Sequence, residues 1–188
     1  MVFLPDYPIR TERLDLRPLR EPDYEAFHAL YSDPEVARYL YNEPRDRTAT
    51  SELMTDRMPL VEIEYEGDRL SLTIELRETR AVIGQCTLLY KSLEHQQGEI
   101  GYLLRPKYWR QGFATEVSRE LLRLGFDDLG LHRIIGRCDA RNTGSAAVLT
   151  KIGMRLEAHL VENEFVKGEW VDELVYAILA AEWEKLTR

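Results

Sequence analysis

The segment Tyr108-Trp109-Arg110-Gln111-Gly112-Phe113-Ala114-Thr115-Glu116 has the residue types of a turn that can hold an anion. Gly112 and Ala114 remove side-chain bulk where a ligand would approach, and Thr115 adds a hydroxyl donor at the first turn of the helix expected to follow. The first amides of such a helix lack intrahelical acceptors and sit at the positive end of its dipole, so a pyrophosphate could bind there without a cationic side chain. Taken alone, the pattern serves equally as a helix start that tolerates small residues. The chain has neither GxGxxG nor GxxxxGK[ST], which sets aside the Rossmann and Walker phosphate loops.

A second group, Asp139-Ala140-Arg141-Asn142-Thr143-Gly144-Ser145 followed by Lys151-Ile152-Gly153-Met154, reads as a helix capped by Asp139 or Asn142 and stopped at Gly153. At the ends of adjacent strands, the two groups would let an extended ligand lie between splayed strands with its phosphates on the first helix. His28, His95, His132 and His159 show no metal-ligand spacing, and Cys86 and Cys138 lack the spacing of a metal site, so no metal is expected. Both thiols are expected to be free and buried.

The elements that must position these groups follow from periodicity. Leu14, Leu16 and Leu19 mark a first strand ending near Pro18, and Pro22-Asp23 open a helix with Tyr24, Phe27, Leu30 and Tyr31 on one face. A short helix runs from Pro34 through Leu40. Another lies between Asp46 and Glu66, with Leu53, Met54, Met58, Val61 and Ile63 as its apolar side and Pro59 as a break. Strands at 70–76, 82–90 and 99–104 read as an antiparallel meander. A helix from Val117 to Leu129, a strand from His132 to Cys138 and a hairpin of 155–166 with 170–179 turning at Lys167-Gly168-Glu169 complete the chain. The order predicts an α/β (α+β) fold: one mixed, mostly antiparallel sheet of about six or seven strands with one parallel crossover pair, flanked by helices.

At 188 residues and 44% apolar, the chain is expected to form a single domain over 1–188. No window approaches the roughly 18–20 apolar residues of a membrane span, and the N-terminus lacks a signal-like run, so a cytoplasmic protein without a membrane partner is expected. A net charge of −8 with arginines scattered among carboxylates argues against nucleic acid and favours a cationic or neutral substrate. Glu62, Glu64, Glu66, Glu94, Glu162 and Glu164 could line a cation-attracting entrance or be ordinary surface charge.

Several motifs together resemble the GNAT N-acetyltransferase superfamily, in particular its RimJ/RimL type, which acetylates protein N-terminal amines. They are Thr11-Glu12-Arg13-Leu14-x-Leu16-Arg17, Glu99-Ile100-Gly101-Tyr102, Tyr108-Trp109-x-x-Gly112-x-Ala114-Thr115-Glu116, Asn142-x-x-Ser145 and Gly168-x-Trp170-x-Asp172. The resemblance implies acetyl-CoA as acyl donor, its pyrophosphate on Arg110, Gln111, Gly112, Phe113, Ala114 and Thr115 and its pantetheine along Tyr102, Leu103 and Leu104. It also implies Asn142 on the pantetheine arm and Ser145 at the CoA sulfur; Lys151 and Arg110 read either as nucleotide-phosphate contacts or as solvated surface. The partner is an amine acceptor, with a peptide or ribosomal-protein N-terminus leading and a small amine (antibiotic, polyamine or amino acid) as the alternative, and a homodimer is compatible with it.

Two departures matter. Trp109 stands where the wider superfamily has Gln or Arg, and Leu149 stands where many relatives carry a tyrosine that protonates the leaving thiolate. Amine attack on a thioester needs a neutral nucleophile and donors for the developing oxyanion. Ser145 is the expected donor to sulfur, and Glu164 or its rival Glu99 the expected base. Tyr102, Trp109, Trp170 and Tyr176 are read as core or cleft lining. A regulatory acyl-CoA-binding module is the competing class. Acceptor choice is expected to lie in the loops around Tyr41–Arg47 and Lys91–Gln97.

Overall fold

Eight strands form one sheet in the order β1-β2-β3-β4-β5-β6-β8-β7 in the computed structural model, which describes residues 2–188. The strands are β1 (Ile9–Arg10), β2 (Leu14–Pro18), β3 (Arg69–Leu76), β4 (Val82–Ser92), β5 (Gln97–Leu104), β6 (Arg133–Asp139), β7 (Arg155–Val166) and β8 (Glu169–Leu179). The expected mixed sheet is present, but with eight strands rather than six or seven; the two-residue β1 is too short to carry a period. All pairings are antiparallel except β5 with β6.

Six helices flank the sheet: α1 (Tyr24–Tyr31), α2 (Pro34–Ala37), α3 (Arg47–Arg57), α4 (Phe113–Arg123), α5 (Thr143–Lys151) and α6 (Ala180–Thr187). α3 ends before Pro59, so Ile63 is not on its apolar side; it bridges Phe3 instead. α2 stops at Ala37 rather than reaching Leu40. α4 stops at Arg123 and continues to Asp128 as a wider π turn, where Gly125 lets the backbone approach Ile134. The β7–β8 turn has Lys167 and Gly168 both at positive φ (52° and 87°), the geometry that joins twisted antiparallel strands without splaying them.

Strand alternation gives the sheet two unlike faces. One carries Leu70, Leu72, Ile74, Cys86, Leu88, Ile100, Ile134 and Ile178 against α4, α5 and α6, and forms the main core. The other carries Ser71, Thr73, Glu75, Asp15, Arg17 and Gln85, all buried and polar. There Arg17 donates to both Asp23 oxygens at 2.7 Å and to Glu75 at 2.8 Å, and Tyr31 donates to Gln85. α1, α2 and α3 cover this polar face through a smaller apolar cluster of Leu19, Phe27, Leu30, Tyr31, Val36 and Met54.

Candidate active site

The parallel pair β5–β6 is short. Its pairing runs only through Gln97↔Arg133, Gly98↔Ile134 and Glu99↔Ile135, although β5 continues to Leu104 along β4 and β6 to Asp139 along β8. Beyond Glu99 the two strands part, and the opening lies between the helix that follows each of them.

α4 begins at the first of these helices. Gly112 is its N-cap at φ 83°, a left-handed conformation that glycine adopts without steric cost, and it has no side chain to cap the helix. The amides of Phe113, Ala114 and Thr115 have no backbone acceptor among the described residues, since the first helical bond is Glu116 to Gly112. The turn is clipped at both ends: the Trp109 indole donates to the Leu104 carbonyl at 2.7 Å and the Gln111 amide group donates to the Lys107 carbonyl at 2.9 Å. Trp109 thus anchors the turn to the end of β5, a role its sequence position did not announce. Arg13 lies over the Phe113 ring at 4.3 Å and donates to the Gln111 carbonyl at 3.0 Å. Glu116 ties this corner down, accepting from Thr11 Oγ1 (2.5 Å), the Arg13 amide (2.8 Å) and Arg13 Nε (2.7 Å). Burial alone would raise its pKa, but these donors hold the carboxyl below its ordinary value.

A hollow of about 670 Å³ runs along the outer side of α4, lined among others by Thr11, Arg13, Gly112, Thr115, Arg119 and Lys151. Lys151 is therefore brought to the same side as the Gly112 turn, while none of the hollow's lining comes from β5 or β6. Arg110 is exposed at φ 59° beside the turn.

α5 begins on the far side of the opening. Of the two caps expected, Asn142 is the one used: its Oδ1 accepts from the Ser145 amide at 3.0 Å, while Asp139 pairs with Arg141. Tyr102 on β5 reaches across, its hydroxyl 3.4 Å from Ser145 Oγ. Cys138 also reaches this gap: it is half-buried rather than fully buried as expected, and burial pushes its thiol up to about 11. Cys86 is buried and free. Leu149 packs on Gly136, close enough that a Cβ there would meet it at 2.6 Å. Two residues expected on the cofactor side lie elsewhere: the Leu103 side chain points to the opposite face and joins the α1–α3 cluster, and Leu104 is sealed in the main core. Tyr176 is core, whereas Trp170 is exposed and stacks edge-on with Phe165.

Glu99 and Glu164 meet on that opposite face, around a residue the sequence did not single out. Arg137 Nε lies 3.0 Å from Glu173 and 3.7 Å from Glu99, and its NH2 is 3.7 Å from Glu164. Glu173 also accepts from Asn163 at 3.1 Å, and burial raises its pKa against the pull of Arg137. Lys91 donates to Glu99 at 3.2 Å, and Tyr41 lies beside Glu164 and Arg137, its phenol pushed up to about 12 first by burial and then by that carboxylate. Both loops expected to shape an acceptor site thus contribute a side chain. The tip of the β7–β8 hairpin is pinned nearby, Lys167 donating to the Ala37 carbonyl at the end of α2 at 2.6 Å. Of the acidic residues read as an entrance or as surface charge, Glu164 joins this cluster, Glu66 accepts from the Leu93 amide and Glu162 lies on β7. Nothing local marks Arg137 or Glu173 in the sequence, because each is one polar position in an alternating strand.

Comparison with known proteins bears on this arrangement. The sequence matches the acetyltransferase (GNAT) domain family over residues 13–155. It is 34% identical over 171 residues to the uncharacterized N-acetyltransferase YoaA of Bacillus subtilis, covering 91% of this chain and 96% of that protein. It is 24% identical over 161 residues to spermidine N(1)-acetyltransferase of Escherichia coli, covering 82% and 80%. The fold is similar to that of an acetyltransferase (GNAT family) from Bacillus anthracis, with a TM-score of 0.83 and 32% identity across 92% of this chain and 98% of that one.

Proposed function

The chain belongs to the GNAT acetyltransferases, matching that family over residues 13–155, and from that premise we propose that it moves the acetyl group of acetyl-CoA onto a primary amine that arrives as a cation, the whole of 1–188 acting as one domain. The observation that carries this reading is the pair of unlike sites on either side of the parted strands: uncapped helix amides at Gly112 and a carboxylate cluster at Arg137.

The residues present suit the acyl donor. Three orphan amides at a helix start match a pyrophosphate, and Gly112 at φ 83° leaves the approach to them free of a side chain. In this reading Gly112, Phe113, Ala114 and Thr115 hold the pyrophosphate through their backbone, with Arg110 and Gln111 flanking it and Lys151 meeting the nucleotide end. Tyr102, Leu103 and Leu104 offer the β5 backbone to the pantetheine, and Asn142 fixes the start of α5 so that Ser145 donates to sulfur. Acetyl-CoA supplies an activated thioester. Glu164 takes the proton of the incoming ammonium: besides Arg137 at 3.7 Å it faces only the neutral Tyr41 phenol, whereas Glu99 is also paired with the Lys91 cation and Glu173 is buried and closely paired.

Three carboxylates against Arg137 and Lys91 leave an excess of one negative charge, which suits one further cation. A small cationic amine is therefore the first acceptor class, with polyamines among its members in keeping with the name of the Escherichia coli relative. A peptide or ribosomal-protein N-terminus is the second, resting on the resemblance of the sequence motifs to the RimJ/RimL type. Free-thiol release from acetyl-CoA across a panel of polyamines, amino acids and peptides tests both. Glu164→Gln is expected to lower kcat roughly 100-fold or more and Glu99→Gln less than about tenfold. Tight CoA binding with no release against any amine overturns turnover, and a larger loss from Glu99→Gln reverses the choice of base.

A further inference from the structure

With Leu149 buried against Gly136, the position on α5 that could have offered a donor to the cleft is apolar. The gap nevertheless holds two hydroxyls from different elements. Tyr102 Oη, on β5, donates toward Ser145 Oγ, on α5, across 3.4 Å. The Ser145 amide is already satisfied by Asn142, and no described residue accepts the Ser145 hydroxyl hydrogen. A serine oxygen has one hydrogen and two lone pairs. With a lone pair turned to the phenol, its hydrogen must point elsewhere, and the open direction is the gap between the strands.

We propose that Tyr102 is a positioning residue for acetyl transfer: by donating to Ser145 Oγ it aims the serine hydroxyl at the sulfur that departs from the acetyl group. The proposal rests on the acetyl-CoA reading above. As the amine nitrogen bonds to the acetyl carbon, the carbon–sulfur bond breaks and sulfur leaves with the electron pair. The ammonium proton has gone to Glu164, the attacking nitrogen sheds its second proton to solvent as the amide forms, and Ser145 donates a hydrogen bond to the sulfur, which takes a solvent proton on release. The phenol does not give up its proton. Burial raises its pKa above the ordinary tyrosine value of about 10, against about 8.5 for a thiol, so full transfer to the thiolate runs uphill. Cys138, raised to about 11, is no better a source. A contact of 3.4 Å is long for O–H···O, and catalytic hydrogen bonds commonly tighten once substrate is bound.

Tyr102→Phe keeps the ring and removes the hydroxyl. It is expected to lower kcat roughly 5- to 20-fold with KM for acetyl-CoA within about twofold. Adding it to Ser145→Ala should cost no more than about twofold, because both changes break one relay. Thiolate absorbance of bound CoA gives a readout that needs no acceptor: its ionisation midpoint should rise in Tyr102→Phe and fall when Tyr102 is replaced by 3,5-difluorotyrosine, a stronger donor of nearly equal size that serves if the phenylalanine variant does not fold. Wild-type kcat in Tyr102→Phe, multiplicative losses in the double variant, or a midpoint indifferent to both replacements overturns the proposal. A wild-type protein that does not bind CoA overturns the acetyl-CoA reading itself.

Discussion

Arg137 Nε lies 3.0 Å from Glu173 Oε1, and this contact joins β6 to β8 beneath the acidic face. Glu173 is 4% exposed, and burial raises its pKa despite the guanidinium beside it. The folded chain therefore binds more protons than the unfolded one in the interval between the two values, so this residue makes stability fall as pH rises through that interval. Thermal melts from pH 4 to 8 should show Glu173→Gln flattening that slope, since glutamine still accepts from Asn163 but has no charge to bury. Arg137→Gln should steepen it, because the compensating cation is gone. Parallel curves for wild type and Glu173→Gln would falsify this account of the site.

Glu116 carries the opposite sign. Burial works to raise it, but the donors from Thr11 and Arg13 outweigh burial and hold its pKa down in the folded chain. Its contribution is complete above the unfolded carboxylate value and disappears as pH falls through the depressed folded value. Glu116→Gln should cost about 1–2 kcal/mol at pH 7, toward the lower end because Arg13 is partly solvated. Urea unfolding should show the variant and wild type converging in acid. KM for acetyl-CoA should rise as well, since the same carboxylate holds the Thr11–Arg13 corner against the start of α4.

Much of the sheet was legible because its strands alternate, and Pro18 and Pro106 mark the ends of β2 and β5; the β7–β8 turn at Lys167-Gly168 and the Asn142 cap are local chemistry that sequence expresses directly. α6 was not, because Ala180 follows Leu179 without a breaker and its start is set by Glu182 accepting from the Leu179 amide. The Gly112 turn was visible for the same reason as the hairpin: it is made of neighbours. Arg137, Glu173, Lys91 and Tyr41 converge from β6, β8, the end of β4 and the loop before α3, and no spacing along the chain encodes that meeting. Alternation alone sets Leu103 opposite to its neighbours Tyr102 and Leu104, but which helices cover each face is decided by packing between elements distant in sequence.

Gly112 allows strain and site effects to be separated. At φ 83° a side chain costs about 1–2 kcal/mol whatever surrounds it, and here a Cβ also meets Arg13 NH2 at 3.4 Å, in a guanidinium that packs over Phe113 and holds the Gln111 carbonyl. Gly130 has φ 68° with nothing within 4 Å of its would-be Cβ, and it lies after α4 rather than before it. Gly130→Ala should therefore lose comparable stability in thermal melts and keep wild-type kinetics. Gly112→Ala should lose that stability and raise KM for acetyl-CoA roughly tenfold with kcat within about twofold, the signature of binding lost equally in ground and transition states. The two variants share one backbone penalty, so the difference between their KM values measures what the open space at Gly112 does for the ligand. Equal KM values would mean that the helix start holds no pyrophosphate.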